Sequence, residues 1–174
     1  MKINFNNITI KNLVLSAMFL CLGIILPFFT GQIKEIGDTL LPMHFPIMLC
    51  SLICGWKHGF TVGLILPFFR SVLFGMPPIY PNAVWMSAEL ATYGFATGFL
   101  YNLFARKKLY FSLLVSMVCG RIVWGITKAV LLGMAGKAFT FHSFVAGALI
   151  DSLPGILLQL ALIPLIVKLI KIRR

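Results

Sequence analysis

Six apolar stretches of helical length, separated by short runs rich in Gly, Pro and basic residues, dominate this chain. A membrane-crossing helix needs about 20 mostly apolar residues, somewhat fewer where the bilayer thins. The stretches predict helices over 11–29, 42–55, 58–75, 82–104, 109–134 and 143–170. The second is short and holds Pro42 and Pro46. The connections read GQIKEIGDTLLP, GWKH, GMPPIYPN, ARKKL and AGKAFTFH, with no linker, low-complexity tract or internal repeat among them. The fold class expected is all-α: an integral membrane protein of six transmembrane helices in one domain, residues 1–174. The N-terminal apolar region runs on to Phe29 without a small-x-small cleavage site, so it reads as the first span rather than a removable signal.

Five ionisable residues interrupt the pattern: Arg70, Glu89, Arg121, Lys128 and Asp151. A charge near the bilayer centre costs roughly 2.5 to 3.5 kcal/mol even on insertion scales, so such residues usually face a polar cavity. Counting about 1.5 Å per residue from the outer helix ends puts Arg70 roughly 8 Å deep, Lys128 roughly 9, Glu89 roughly 10 and Asp151 roughly 12. Four helices thus place one charge each in the same layer. Arg121 lies two turns below Lys128 on one face, with Trp124 between them, and Asn82, Trp85, Glu89 and Tyr93 share a stripe at helical spacing. Arg70–Glu89 and Lys128–Asp151 are the expected ion pairs. A structural network tying the helices together is one reading. The aromatic lining of Trp85, Tyr93 and Trp124, and the loops above the layer, favour a small-molecule pocket. Three basic residues against two acidic ones leave one cation over, which suits a monoanionic ligand. Arg70, with its planar fork, is the expected partner of a carboxylate. His44, after Pro42 near the outer surface, is a further candidate contact, and Asp38 is either a lid contact or a helix cap.

Charge changes the picture in one respect, orientation. The net charge of +11 on a chain that is 60% hydrophobic would suggest nucleic acid in a soluble protein. Here most of the basic residues sit at helix ends, and no aromatic-basic strand pattern accompanies them, so no nucleic acid is expected. Lys2, Lys11, Lys57, Arg106, Lys107, Lys108, Lys168, Lys171, Arg173 and Arg174 fall on one side; only Lys34 and Lys137 fall on the other. Basic loops stay inside, so both termini are expected in the cytoplasm. The Gly- and Pro-rich loops then face outward, the first of them long enough to act as a lid. Cys21, Cys50, Cys54 and Cys119 all lie in apolar segments and read as small packing residues. A metal site from Cys50 and Cys54 would need His44 or His58, which lie toward opposite ends of that segment. No H-E-x-x-H, G-x-S-x-G or P-loop occurs, so neither an ATPase nor a hydrolytic centre is expected, and no cofactor is implied. The rival classes are an intramembrane enzyme using Glu89 or Asp151 as a base, which lacks a nucleophile or metal cluster beside either, and a structural or small-channel protein, for which five buried charges are excessive.

The segments GDTLLPMHFPIMLCSLICGWKHGFTVGLILPFFRSVLFGMPPIYPNAVWMSAELATYG, GRIVWGITKAV and LPGILLQLALIP, within six short helices, resemble the substrate-binding S component of an energy-coupling-factor vitamin transporter. The resemblance covers residues 12 to 170. It implies import of a small water-soluble vitamin or precursor, bound near the external face of a bacterial cytoplasmic membrane. It implies partners as well: a transmembrane coupling subunit and two ATPases, with the S component tilting in the bilayer to carry its ligand inward. Family members carry Ala-x-x-x-Ala on the first helix where the coupling subunit docks; here Ala17 and Cys21 stand at that spacing, Cys being small enough for close helix approach. Nickel and cobalt members begin Met-His, whereas position 2 here is Lys2, so no metal is expected. The excess cation favours a monocarboxylate, and MPPIYP with GDTLLPMHFP looks most like the pantothenate-type branch. Niacin and folate remain open; riboflavin and thiamine fit a cation-rich pocket less well.

Overall fold

The computed structural model describes residues 5–29, 39–104, 107–136 and 140–172. Residues 31–38 of the long loop expected to act as a lid, with Lys34 and Asp38, lie outside them, as do Lys2, Arg106, Lys137, Arg173 and Arg174. Every element among the described residues is helical. The order is α1 (Phe5–Phe29), α2 (His44–Cys54), α3 (Trp56–Phe74), α4 (Val84–Leu103), α5 (Leu109–Met134), α6 (Phe141–Val145) and α7 (Leu153–Ile172). Widened turns at Ile79–Ala83 and Ala146–Ile150 lead into α4 and out of α6. The predicted fifth helix coincides with α5 and the second, third and fourth agree within two residues; α1 begins six residues earlier than expected, and the sixth stretch is α6 and α7 joined through a wide turn. The fold is all-α and membrane-embedded.

Three segments are long and apolar enough to cross a membrane by length and composition alone: Ile10–Phe29, Leu109–Met134 and Phe141–Leu169. The middle of the chain is different for a physical reason. At about 1.5 Å per residue, α2 is roughly half the thickness of the hydrocarbon layer. Helices α3 and α4 are long enough but carry small and polar residues on the faces that pack on one another, while Phe60, Leu64, Phe95 and Phe99 stay exposed on their outer sides. Among the described residues, α1, α3 and α5 all pack against α2 or α4, which form the middle of the bundle. Two apolar clusters sit there, one around Met48, Leu52, Leu113 and Ile163, the other around Ile47, Val62, Leu66 and Leu90.

Close approach of α3 and α4 depends on paired small residues, Gly59 and Gly63 on one helix and Gly94 and Gly98 on the other. Lipid tails give helices no hydrophobic reason to associate, so dispersion across a tight small-x-x-x-small contact has to hold them. A Cβ on Gly63 would strike the Leu90 backbone, and one on Gly94 would strike the Gly59 carbonyl. Ser51 of α2 donates to the Gly94 carbonyl at the same crossing. Gly63→Ala and Gly94→Ala are therefore expected to destabilise the protein by about 1 to 3 kcal/mol, the usual range for overpacking. Gly133→Ala, where nothing lies within 4 Å, should be neutral. Thermal unfolding in detergent, followed by size exclusion, checks this; equal behaviour of all three variants would remove the close-packing account.

Backbone turns then aim residues at one end of the bundle. Gly55, at φ 102°, joins α2 to α3 in a conformation that only glycine adopts cheaply. Leu41 takes φ 51°, uncommon for a side-chain-bearing residue. Its carbonyl accepts from the His44 amide at 3.1 Å and from Nε2 of the buried Gln159 at 3.4 Å. That ties the start of α2 to α7 and fixes where His44 points. Ser71, near the end of α3, donates to the Pro77 carbonyl and folds the Pro77–Pro78 turn back over that end.

Candidate functional site

A cavity of about 400 Å³ opens among α1, α2, α3, α4, α5 and the turn after α6. It is lined by nine of the ten residues singled out from the sequence: His44, Arg70, Asn82, Trp85, Glu89, Arg121, Trp124, Lys128 and Asp151. The volume falls within the range of roughly 300 to 1,000 Å³ common for small-molecule sites. Each helix contributes through its own local logic. On α4, Glu89 lies one turn below Trp85, and the extended Tyr80 (φ −119°, ψ 135°) in the preceding turn lets Asn82 join the same wall. On α5, Arg121, Trp124 and Lys128 follow at three- and four-residue spacing, the rule for one helical face. Asp151 comes from the wide turn, where its amide bonds to the Ala146 carbonyl at 2.9 Å, five residues back. Such π-type widenings recur where a helix must present a group to a site.

The tenth residue, Tyr93, does not line the cavity. It is 1% exposed and packs under it, with the His44 ring edge-on at 4.8 Å and Gly120 leaving room for its ring. It reaches the layer below because one further turn down α4 passes the cavity floor.

The expected Arg70–Glu89 pair is not formed. Glu89 Oε1 lies 3.0 Å from Arg121 Nη1 and 3.2 Å from His44 Nε2, all three residues being buried. Arg70 instead donates from Nη1 to the Ile24 carbonyl of α1 at 2.7 Å, and its guanidinium lies 5.3 and 5.9 Å from the Phe28 and Phe74 ring centres. The reason is azimuth. Depth along two helices puts charges in one layer, but Arg70 points toward α1 while Glu89 points toward α2 and α5. Lys128 Nζ sits 4.4 Å from the Trp124 ring centre and 5.4 Å from that of Trp85, and it also contributes to the cavity wall beside Asp151.

Several lining residues escaped the sequence: Met43, Met76, Met86, Pro27, Pro77, Pro78, Leu132 and Gly147. Met86 could have been found, being three residues before Glu89 and so on its face. Met76 and Pro77 could not, since a loop residue carries no periodicity. Of the two residues expected at a protein interface, Ala17 and Cys21 are exposed on α1, while Ser16, Gly23 and Pro27 of the same helix are buried. Cys50 and Cys54 are buried, with Cys50 Sγ 3.7 Å from Ser16 Oγ as a packing contact.

Fold and cavity together define a membrane-embedded helical protein that encloses a charged, aromatic-walled binding space. A family model described as ECF transporter, substrate-specific component, matches residues 11–168, and the chain belongs to that family. No curated protein and no solved structure matched it. The family consists of substrate-binding components of transporters, not enzymes. Its members take a small-molecule substrate and work with an energy-coupling module made of a transmembrane subunit and ATPases.

Proposed function

We propose that residues 1–174 form one S-component domain that binds a small water-soluble monocarboxylate, a vitamin or precursor of the pantothenate kind. In this reading it binds on the outside of a bacterial cytoplasmic membrane and delivers the ligand inward with the coupling subunit and two ATPases. The observation that carries the reading is the charge balance of the cavity wall. Among the described lining residues, Arg70, Arg121 and Lys128 face Glu89 and Asp151, one cation in excess. Buried charges are tolerated when paired, so a ligand bringing one negative charge completes the set. A neutral ligand leaves a cation unanswered, and folate, with two carboxylates, brings one anion too many. Nicotinate matches the charge but offers little to the length of a wall running from Arg70 to Asp151. The Lys and Arg asymmetry of the loops supports both termini inside, which turns the Pro77–Pro78 end of the cavity to the outside.

Reconstitution tests the reading. Liposomes holding the protein with a coupling subunit and its ATPases should accumulate radiolabelled pantothenate when ATP is inside, and should lose accumulation without the ATPases. Accumulation that ignores ATP, or uptake of a cation in place of the acid, contradicts it.

A further inference from the structure

Charge and hydrogen bonding part company at Arg121, on the cavity floor. Arg121 is 8% exposed and lines the cavity, and its charge is answered by Glu89, whose Oε1 lies 3.0 Å from Nη1. Its hydrogen bonds are not answered. Nε and Nη2 are buried without a hydrogen-bond partner among the described residues, and Glu89 Oε1 is not aligned to accept from Nη1. The Tyr93 hydroxyl neighbours the guanidinium but aligns with none of its donors. Nε and Nη2 together form the side edge of the fork, which can hold a carboxylate through two parallel N–H···O bonds. A buried donor left without an acceptor costs free energy, and an acceptor brought to it recovers that cost. The other two cations of the wall are engaged otherwise. Arg70 is bonded to the Ile24 carbonyl and flanked by Phe28 and Phe74. Lys128 lies against Trp124 and Trp85 and holds a further contact of its own.

We propose that the Nε–Nη2 edge of Arg121 receives the ligand's carboxylate, so that the acid enters head first and its tail stays toward the mouth of the cavity. This assignment rests on the monocarboxylate reading given above. A guanidinium has five N–H donors, so Glu89 keeps its charge contact with Nη1 while the ligand takes the side edge. Both atoms of that edge are buried. The guanidinium therefore has to turn about its side-chain torsions to meet an anion in the cavity it already lines. Two charge-assisted bonds made only with the anion are the differential interaction that such a turn requires. A point charge would give less, because the planar fork fixes the direction of the carboxylate as well as answering its charge. Direction then defines the tail. Arg121 stands about 10 Å along α5 below Lys128, and Asn82, Lys128 and Asp151 line the wall above it. That upper wall offers both donors and acceptors, which suits hydroxyl and amide groups. The ligand class is a terminal acid on an uncharged polar chain.

The test uses the full chain purified in detergent, with equilibrium dialysis of pantothenate and of its primary alcohol pantothenol, which differ only at the acid end. Hydrogen bonds to a charged group imply that the parent protein binds the acid about 10- to 100-fold more tightly than the alcohol. Arg121→Lys keeps a positive charge facing Glu89 and removes the fork, so this acid-to-alcohol ratio should fall by about tenfold. The double variant Glu89→Gln, Arg121→Met removes both charges and should bring the ratio to about 1. It carries the comparison where the lysine variant gives no monodisperse protein. Arg70→Lys alters the other fork in the wall and should retain a preference for the acid. A ratio unaltered in Arg121→Lys or in the double variant overturns the assignment, as does a ratio that falls as far in Arg70→Lys as in Arg121→Lys. The monocarboxylate reading survives either result. A parent protein that binds neither compound, or does not favour the acid, overturns that reading and the assignment with it.

Discussion

Glu89→Gln should cost most of the folded yield, and ligand binding should fall with it. Glu89 is 2% exposed and its carboxylate is the shared partner of Arg121 and His44. Glutamine keeps the shape and removes the charge, leaving a buried guanidinium uncompensated in a low-dielectric interior. Breaking a buried pair from one side typically costs about 3 to 5 kcal/mol, a large part of the stability of most domains. The double variant Glu89→Gln, Arg121→Met removes both charges and should recover part of the loss, since the penalty lies in the orphaned partner more than in the missing contact. Yield of monodisperse protein and unfolding temperature in detergent read both variants. Normal folding of Glu89→Gln with lost binding would place Glu89 on the ligand itself, and a double variant no better than the single one would remove Arg121 from the account.

That cluster also shows where the sequence was legible. Helix positions were readable because lipid demands long apolar runs and every charge inside one stands out. Arg70, Glu89, Lys128 and Asp151 could therefore be placed in one layer from depth, and Arg121 added from the helix face it shares with Lys128; all five line the cavity. Which charge meets which could not be read, because the rotation of one helix against another depends on side-chain packing across the bundle. The pairing of Glu89 with Arg121 turns on Gly120, whose bare backbone admits the Tyr93 ring and sets α5 against α4. Tyr93 belongs to the same stripe as Glu89 yet falls beneath the cavity, since a stripe continues past the floor of any pocket it lines. The lining methionines gave no signal, as Met in an apolar helix reads the same facing lipid, core or ligand. The wide turn before Asp151 was equally silent, being a matter of one extra residue in a run of small and apolar ones.

Ala17→Trp should abolish uptake while leaving ligand binding intact. Ala17 and Cys21 are one turn apart and exposed on α1, away from the cavity. Lipid alone asks for no small residues at such positions, and neighbours such as Leu13, Met18 and Leu22 are large. Small side chains let a second helix backbone approach closely, where packing is the available driving force. An indole there would hold the coupling subunit several ångströms off and remove most of the contact. Two quantities on one variant separate the readings: assembly with the coupling module by co-purification, and ligand binding by the isolated protein. Intact assembly rules out the interface, and loss of both functions would mean that this face of α1 packs inward.

The claim at the centre of the account is that the cavity holds a small monoanionic acid. Mass spectrometry of the small molecules released when the detergent-purified protein is denatured addresses it without presupposing a ligand. The account predicts one retained compound in a molar ratio near one to the protein, carrying a single carboxylate on an aliphatic chain. A retained neutral or cationic compound, or a well-folded protein that releases nothing and binds no monocarboxylate added back, would contradict it.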